Sequence, residues 1–266
     1  MITYEDVVTA TEPEKWETLD CPVCEGKSFT KLFEKQGEPF ARCNGCGLVM
    51  INPRPVYSEV IKTYDHDYSE FYIKKAVKKI QRAKRWAKAV QKTGVKEGRW
   101  LDVGCSAGLI VKAVEELGYD AYGVDVEKHG IEFAQSELGL KNVSHGMLEE
   151  QKYPDKYFNV ISAYDVIEHV PDLNSFVSEL ARILAPGGVI DIRTPDVGHW
   201  AVPRRLETWN AIQPSEHLYY LDKKTLPLLF SKYNLKLIKH IFNFKPTIKM
   251  YFSQSSKDNV YEKFVG

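Results

Sequence analysis

Four of the five cysteines fall into two pairs, Cys21-Pro22-Val23-Cys24 and Cys43-Asn44-Gly45-Cys46, with 18 residues between the pairs. No other feature restricts the chain so tightly. Both thiolates of a pair can reach one ion only if the backbone turns sharply, and Pro22, Gly26, Gly45 and Gly47 supply turn-compatible residues around both. Two such knuckles at this separation match a tetrahedral site of four thiolates. That site has no open position for water or substrate, so its role is structural. The spacing predicts a zinc ribbon over residues 19–55, with Cys21, Cys24, Cys43 and Cys46 as ligands. A redox couple is the alternative for the same pairs. Strand-like stretches at 29–33 and 48–51 belong to the ribbon. Asn52-Pro53-Arg54-Pro55 ends it, because each proline restrains itself and the residue before it.

The formal charge is zero, from 36 basic and 36 acidic side chains, but it is unevenly spread. Residues 1–70 carry 13 acids and 7 bases, whereas residues 71–93 carry 9 bases and no acid. A zero total argues against a general polyanion binder; so local a basic block is a feature in its own right. Within 57–93, Val77, Ile80, Ala83, Ala87 and Val90 recur at spacings of three and four, which predicts an amphipathic helix stopped near Gly94. Its basic face has three readings: an ordinary solvated face, a patch for a phosphorylated or lipid-linked acceptor, or a nucleic-acid contact. No apolar run reaches the roughly 18 residues of a membrane span, and the acidic N-terminus lacks a signal peptide's apolar centre. A cytoplasmic location is expected.

From Trp100 onward strands alternate with helices. Strands are predicted at 100–103, 121–124, near Val143, at 158–163 and at 189–193, and helices at 109–117, 130–138 and 173–184. Asp172 is the expected cap of the last helix and Pro186-Gly187-Gly188 its stop. A helix over 223–233, capped by Asp222, and a strand pair at 235–244 and 248–252 close the chain. This order predicts an α/β fold with a doubly wound, mostly parallel sheet. Within it, Leu101-Asp102-Val103-Gly104-Cys105-Ser106-Ala107-Gly108 follows a strand and opens a helix, as a nucleotide-binding turn does: glycine permits close backbone approach and the helix start offers free N–H groups. Asp125 ends the next strand, where a carboxylate can accept hydrogen bonds from the hydroxyls of a ribose.

With these motifs in place, the stretch 100–240 resembles the class I S-adenosylmethionine-dependent methyltransferases. The glycine turn matches that family's first motif and Asp125 its ribose-binding acid. Phe158-Asn159-Val160-Ile161 with Glu168-His169-Val170-Pro171 matches its fourth-strand region, and Leu184-Ala185-Pro186-Gly187-Gly188 its post-helix turn. The resemblance implies a seven-stranded Rossmann-like sheet whose last strand is antiparallel, and S-adenosylmethionine as cofactor. It further implies cofactor contacts at Asp102, Gly104, Cys105, Ser106, Gly108, Asp125, Val126, Met147, Leu148 and Tyr164. Ser106 replaces the usual middle glycine and Met147 the usual adenine-reading aspartate. An NAD dehydrogenase would share the turn and the acid, but the turns after the fourth strand and the helix favour methyl transfer. In a non-catalytic binding module the sheet domain would be degenerate, against which the intact Asp102, Gly104, Gly108 and Asp125 speak. The implied division is an N-terminal extension (1–18), the ribbon (19–55), a helical linker or lid (56–94), the methyltransferase domain (95–254) and a tail (255–266).

A ribbon joined through an Asn-Pro-Arg-Pro step resembles the sugar- and polysaccharide-modifying members, so the expected partner is a small sugar-like acceptor. RNA or a quinol precursor is the alternative. In those members a Glu-His-aromatic segment faces the acceptor. Glu216-His217-Leu218-Tyr219-Tyr220 resembles it, with His217 as proton acceptor and Glu216 orienting it. His169 competes for the role. On a helical turn, Asp165, Glu168 and His169 would share one face, a pattern resembling relatives that bind a metal. Trp200, Trp209, His199, Arg204 and Arg205, between the strand at 189–193 and Asp222, fit a sugar that carries phosphate, since arginine binds phosphate bidentately, and a folded surface lid is the alternative for the same residues.

Overall fold

The computed structural model describes residues 15–56 and 76–255. The expectations for residues 1–14, for the helix before Ala76 (Lys74 and Lys75 among them) and for the tail beyond 255 fall outside these residues, as do the side chains of Val77 and Lys78. The N-terminal part contains β1 (Trp16–Glu17), β2 (Phe29–Lys35), β3 (Glu38–Cys43), β4 (Val49–Ile51) and β5 (Arg54–Pro55). Helix α1 (Ala76–Gln91) leads into β6 (Arg99–Val103), α2 (Leu109–Glu115), β7 (Asp120–Asp125), α3 (Lys128–Ser136), β8 (Val143–His145) and β9 (Phe158–Tyr164). Then come α4 (Leu173–Ile183), β10 (Leu184–Pro195), β11 (Tyr219–Tyr220), α5 (Thr225–Ser231), β12 (Leu235–His240) and β13 (Thr247–Gln254).

Seven strands form one sheet in the order β12-β13-β10-β9-β6-β7-β8. Strand β13 pairs antiparallel with both β10 and β12, and the remaining ladders are parallel. This is the expected Rossmann-like methyltransferase sheet. Its central strands are apolar almost without interruption, as strands covered on both faces must be: β6 buries Trp100–Val103, and in β9 only Asn159 is not buried. Helix α4 lays Leu173, Phe176, Val177, Leu180 and Ile183 on the sheet. Asp172 caps it, its Oδ1 accepting from the Asn174 and Ser175 amides at 2.8 and 3.2 Å.

Three expectations shift. Helix α4 stops at Ile183, and Pro186-Gly187-Gly188 lies inside β10 instead, where the register with β9 jumps between Leu184 and Val189. The ribbon gains β3, whose mixed Glu-Pro-Phe-Ala-Arg-Cys composition hides its pairing with β2 and β4. Strand β12 ends at His240, which leaves 241–246 as the turn into β13.

The ribbon does not stand apart. Its sheet runs β11-β4-β3-β2, and β11 comes from beyond the seven-stranded sheet's β10. Tyr219 pairs with Met50 and Tyr220 with Val49. Helix α1 buries Ala83, Ala87 and Val90, as the periodicity requires, and sets Trp86 edge-on to Tyr164 at 5.1 Å.

Candidate active site

The part of the site expected to hold the cofactor is built largely from residues 99–130. The chain leaves β6 at Gly104, whose φ of +72° lets its amide and that of Cys105 turn back to the Val124 carbonyl at 2.8 and 3.1 Å. A side chain there would also collide, since a Cβ would lie 2.3 Å from Val166 Cγ2. Ser106 takes φ +46°, a left-handed conformation that costs a non-glycine residue roughly 1–3 kcal/mol. Its amide offsets this by donating to Asp125 Oδ2 at 2.7 Å, while Asp125 Oδ1 accepts from the Glu127 amide at 2.8 Å. The acid expected to bind ribose therefore also locks the turn to the end of β7. Sequence reading missed Gly130. A Cβ there would sit 2.8 Å from the Ser106 carbonyl carbon, so only glycine lets α3 approach the turn. A glycine within a helical stretch, at a cost of about 1 kcal/mol, is the available signal.

Two polar atoms in this cleft, Asp102 Oδ2 and Ser106 Oγ, are buried without a partner. The other Asp102 oxygen accepts from Ser162 Oγ at 2.6 Å, which in turn accepts from Trp100 Nε1 at 2.9 Å. Burial pushes Asp102 up to about 8. A buried carboxylate with an unspent oxygen suits a cationic ligand, as a sulfonium-bearing amino acid would be. Met147 donates its amide to Glu150 Oε2 at 2.9 Å, and buried Leu148 opens a short 3-10 turn with its own amide at the free end. Val126 is half exposed at the rim and Cys105 is buried. The Tyr164 hydroxyl is engaged elsewhere: it donates to Asp191 Oδ2 at 2.5 Å and accepts from Lys249 Nζ at 3.2 Å.

The part of the site expected to face the acceptor is assembled from distant stretches. After β9, Asp165 takes φ +57° and pairs with Arg193, and a turn, not a helix, carries Glu168 and His169. Asp165 is outside the group of ligand atoms that Glu168 and His169 enter, although its charge still acts on Glu168. The Glu168 carbonyl accepts from the Leu218 and Tyr219 amides at 2.8 and 3.3 Å, which draws the segment carrying His217 against it. The His169 and His217 rings meet edge to face, 4.5 Å between centroids. His217 Nδ1 donates to the Ala211 carbonyl at 2.9 Å, leaving Nε2 as a lone-pair donor. Glu168 Oε2 accepts from Thr194 Oγ1 at 2.9 Å, while Oε1 is buried and unpartnered. Ligand atoms of Glu168, His169 and His217 all lie within 4.8 Å of one another. Glu216 is exposed and is not in this group. Burial holds the His169 ring down at about 4 and His217 at about 3, and pushes Glu168 up to about 8. At pH 7 the group is thus two neutral imidazoles and a largely protonated carboxyl. The two competing histidines of the sequence reading belong to one site.

The ribbon grips this segment. Ile51 donates its amide to the Leu218 carbonyl at 3.1 Å, Glu38 accepts from the Ser215 amide at 2.8 Å, and Lys35 Nζ donates to the Ile212 carbonyl at 2.8 Å. Buried Arg54 donates to the Tyr219 hydroxyl and the Pro171 carbonyl, both at 2.8 Å. At the far end of the ribbon the four Sγ atoms cluster within 4.8 Å, with Cys21–Cys46 at 3.5 Å and Cys24–Cys43 at 3.4 Å. A tetrahedron with Zn–S bonds of about 2.3 Å has S···S edges of roughly 3.8 Å, so the cluster is consistent with a zinc ribbon.

A family model described as a methyltransferase domain matches residues 77–240. The chain belongs to that methyltransferase family. A ubiquinone biosynthesis O-methyltransferase of Bradyrhizobium sp. is 33% identical over 99 residues, a match spanning 36% of this chain and 39% of that relative. The protein of the same name from Pelagibacter ubique is 27% identical over 175 residues, 63% of this chain and 62% of its own. The chain thus spans well under two thirds of several such relatives. Among solved structures, SAM-dependent methyltransferases of Leishmania major and Thermotoga maritima superpose with TM-scores of 0.55 and 0.54. They are 18% and 16% identical, and the alignments cover 74% and 75% of this methyltransferase and 82% and 100% of theirs. They bear on the fold alone. Among the described residues no helix is long and apolar enough to cross a membrane.

Proposed function

We propose that this methyltransferase methylates an oxygen of a small acceptor that presents two neighbouring oxygens, as a sugar diol or a quinol precursor does, with a divalent cation held by Glu168, His169 and His217. The observation that carries this is the convergence of those three side chains, with Glu168 Oε1 buried and unpartnered among them. Backbone carbonyls hold histidine ligands in one tautomer at such sites, as the Ala211 carbonyl does for His217. Rings so weakly basic make poor proton acceptors on their own but remain good neutral ligands. A cation bound there would polarise an acceptor hydroxyl and lower its pKa. S-adenosylmethionine would supply the methyl group from its sulfonium. Asp102 would then meet the positive end of the cofactor and Asp125 its ribose, with Leu148 against the adenine. Methyl transfer is an in-line displacement, so the residues act mainly by orientation, worth up to about 7–11 kcal/mol. The four cysteines hold zinc and brace the acceptor segment. The kinship with O-methyltransferases of ubiquinone biosynthesis supports an oxygen acceptor. Exposed Arg204 and Arg205, on the loop between β10 and β11, support a phosphorylated sugar as well.

The test pairs equilibrium dialysis of Mn²⁺ with a methyl-label screen over sugar phosphates, catechols and RNA. One Mn²⁺ per chain, lost in Glu168→Gln, together with label on a diol-bearing compound, is expected. Unchanged Mn²⁺ binding in Glu168→Gln, or turnover that chelator leaves intact, removes the cation from the reading.

A further inference from the structure

The three most exposed large aromatic side chains of the described residues gather at one corner. Phe244, Trp200 and Phe242 are 79%, 74% and 67% exposed. They lie on two loops at the carboxyl edge of the sheet, the edge that also carries the Gly104 turn and Glu168. One loop follows β10, and the other is the turn between β12 and β13. These loops are fastened to each other: His199 Nε2 meets the Asn243 carbonyl at 3.1 Å, and the Asp196 amide donates to the Pro246 carbonyl at 3.1 Å. Phe242 and Phe244 touch edge to face at 5.1 Å, and the His199 and Trp200 rings lie 5.2 Å apart. Along the adjoining strand β12, Leu237 and Ile238 are also exposed.

The charge of this corner is one-sided. Between Asp222 and Ser255 the sequence has seven lysines and no acidic residue. Lys236, Lys239 and Lys245 are exposed beside the apolar group, whereas Lys249 is buried against Asp191. The acids beside these loops are spent: Asp196 is buried and accepts from the Gly198 amide, and Asp222 Oδ1 accepts from the Lys224 and Thr225 amides. Lysines on β12 would by themselves be ordinary protection of a sheet edge. That explanation does not reach Trp200, Phe242 and Phe244, which stand on loops beyond the edge.

We infer that this corner docks on the surface of an anionic lipid bilayer. Trp200, Phe242 and Phe244 enter the headgroup layer, and Lys236, Lys239 and Lys245 face the lipid phosphates. Single-stranded RNA would ask for open ring faces on which bases stack. Here Phe242 and Phe244 lean edge to face on each other rather than standing as parallel platforms, and Leu237 and Ile238 offer a base nothing. The docking argument does not depend on the acceptor chemistry proposed above. It would, however, present the acceptor edge to molecules held in a membrane.

The experiment is co-sedimentation of the full chain with vesicles of phosphatidylcholine alone and with about 30% phosphatidylglycerol, a membrane of substantial negative surface potential. Binding to the anionic vesicles, weak binding to the neutral ones, and weakening by salt are expected. The variant Trp200→Ala/Phe242→Ser/Phe244→Ser should lose binding by at least about tenfold, with an unchanged circular-dichroism melt, because those side chains bury little in the free protein. Lys236→Glu/Lys239→Glu/Lys245→Glu should lose only the preference for anionic vesicles. No sedimentation with either vesicle, or equal sedimentation of both variants and wild type, overturns the inference. So does a loss in the aromatic variant of RNA binding or of self-association instead of vesicle binding, since the corner would then serve that partner.

Discussion

The two sides of the active site are built by opposite means. The cofactor side is local: Gly104, Ser106, Asp125 and Gly130 fall within 27 consecutive residues, and hydrogen bonds from the Ser106 and Glu127 amides to Asp125 close it. The acceptor side is gathered from Glu168 and His169, from the 211–220 segment, and from ribbon residues as distant as Lys35. A local site keeps its geometry when distant parts fail. A gathered site depends on every element that holds it. The cysteine ribbon, remote from both ligand sites in sequence, should therefore matter to one side and not to the other.

The strongest way to break this comparison is within the acceptor side. His217→Ala removes one of the three converging side chains, and turnover should fall by about 10²–10⁴-fold, the scale of a lost positioned catalytic group. S-adenosylmethionine affinity, measured by calorimetry, should stay unchanged. Equal loss on both sides would mean that the two halves are not separate.

Cys43→Ser tests the gathered character itself. Without four thiolates the knuckles lose the folding free energy that metal supplies, and β4 loses its reason to hold β11. Turnover should drop by roughly 10²-fold, the cost of misplacing a reacting group by about an ångström. Cofactor binding should survive, and elemental analysis should show zinc gone from the variant and stoichiometric in the wild type. A variant that keeps full turnover without zinc would show that the ribbon is a passenger.

Asp125→Ala is the mirror-image test. Loss of a charged acceptor should weaken S-adenosylmethionine by about 1.5–3 kcal/mol per hydrogen bond, while Mn²⁺ binding to the acceptor cluster stays as in wild type. Freed of its anchor, Ser106 should also relax from its left-handed conformation, which an NMR shift at its amide would report.

What the sequence disclosed follows the same divide. The alternation of strands and helices, the Asp172 cap, the glycine turn and the cysteine cluster are written in short stretches where period, spacing or a single residue type decides. Gly130 was within reach, because a helical glycine needs a reason. The union of His169 with His217 was not: it depends on β11 leaving the main domain to pair with β4, a two-residue strand that no periodicity announces. Asp165, Glu168 and His169 look like one helical face only if the turn is a helix, and the left-handed Asp165 breaks it. Burial changed the chemistry as well. A histidine expected to titrate near neutrality is held neutral down to about 3, because desolvation depends on neighbours the linear pattern does not name.

The smallest effect concerns protons on the cofactor side. Burial raises Asp102 to about 8 from an ordinary carboxylate value near ~4. The folded protein therefore keeps a proton that the unfolded chain has already released across that interval. The stabilisation is complete below the unfolded value and is lost as pH climbs through the folded one. Glu168 acts in the same direction, while His169 and His217, depressed by burial, act oppositely below about 6.5. Comparison above neutrality thus excludes the two histidines, and Asp102→Asn isolates one carboxyl. Without cofactor, the melting temperature of the wild type should fall more steeply than that of Asp102→Asn as pH rises from 7 to 8.5, a range chosen to bracket the folded-state value. S-adenosylmethionine should flatten the wild-type slope, because a cationic ligand favours the ionised carboxylate, and should leave the slope of the variant unchanged. Parallel slopes for the two proteins would mean that Asp102 is ionised in the free cleft and that its unspent oxygen already has a partner there.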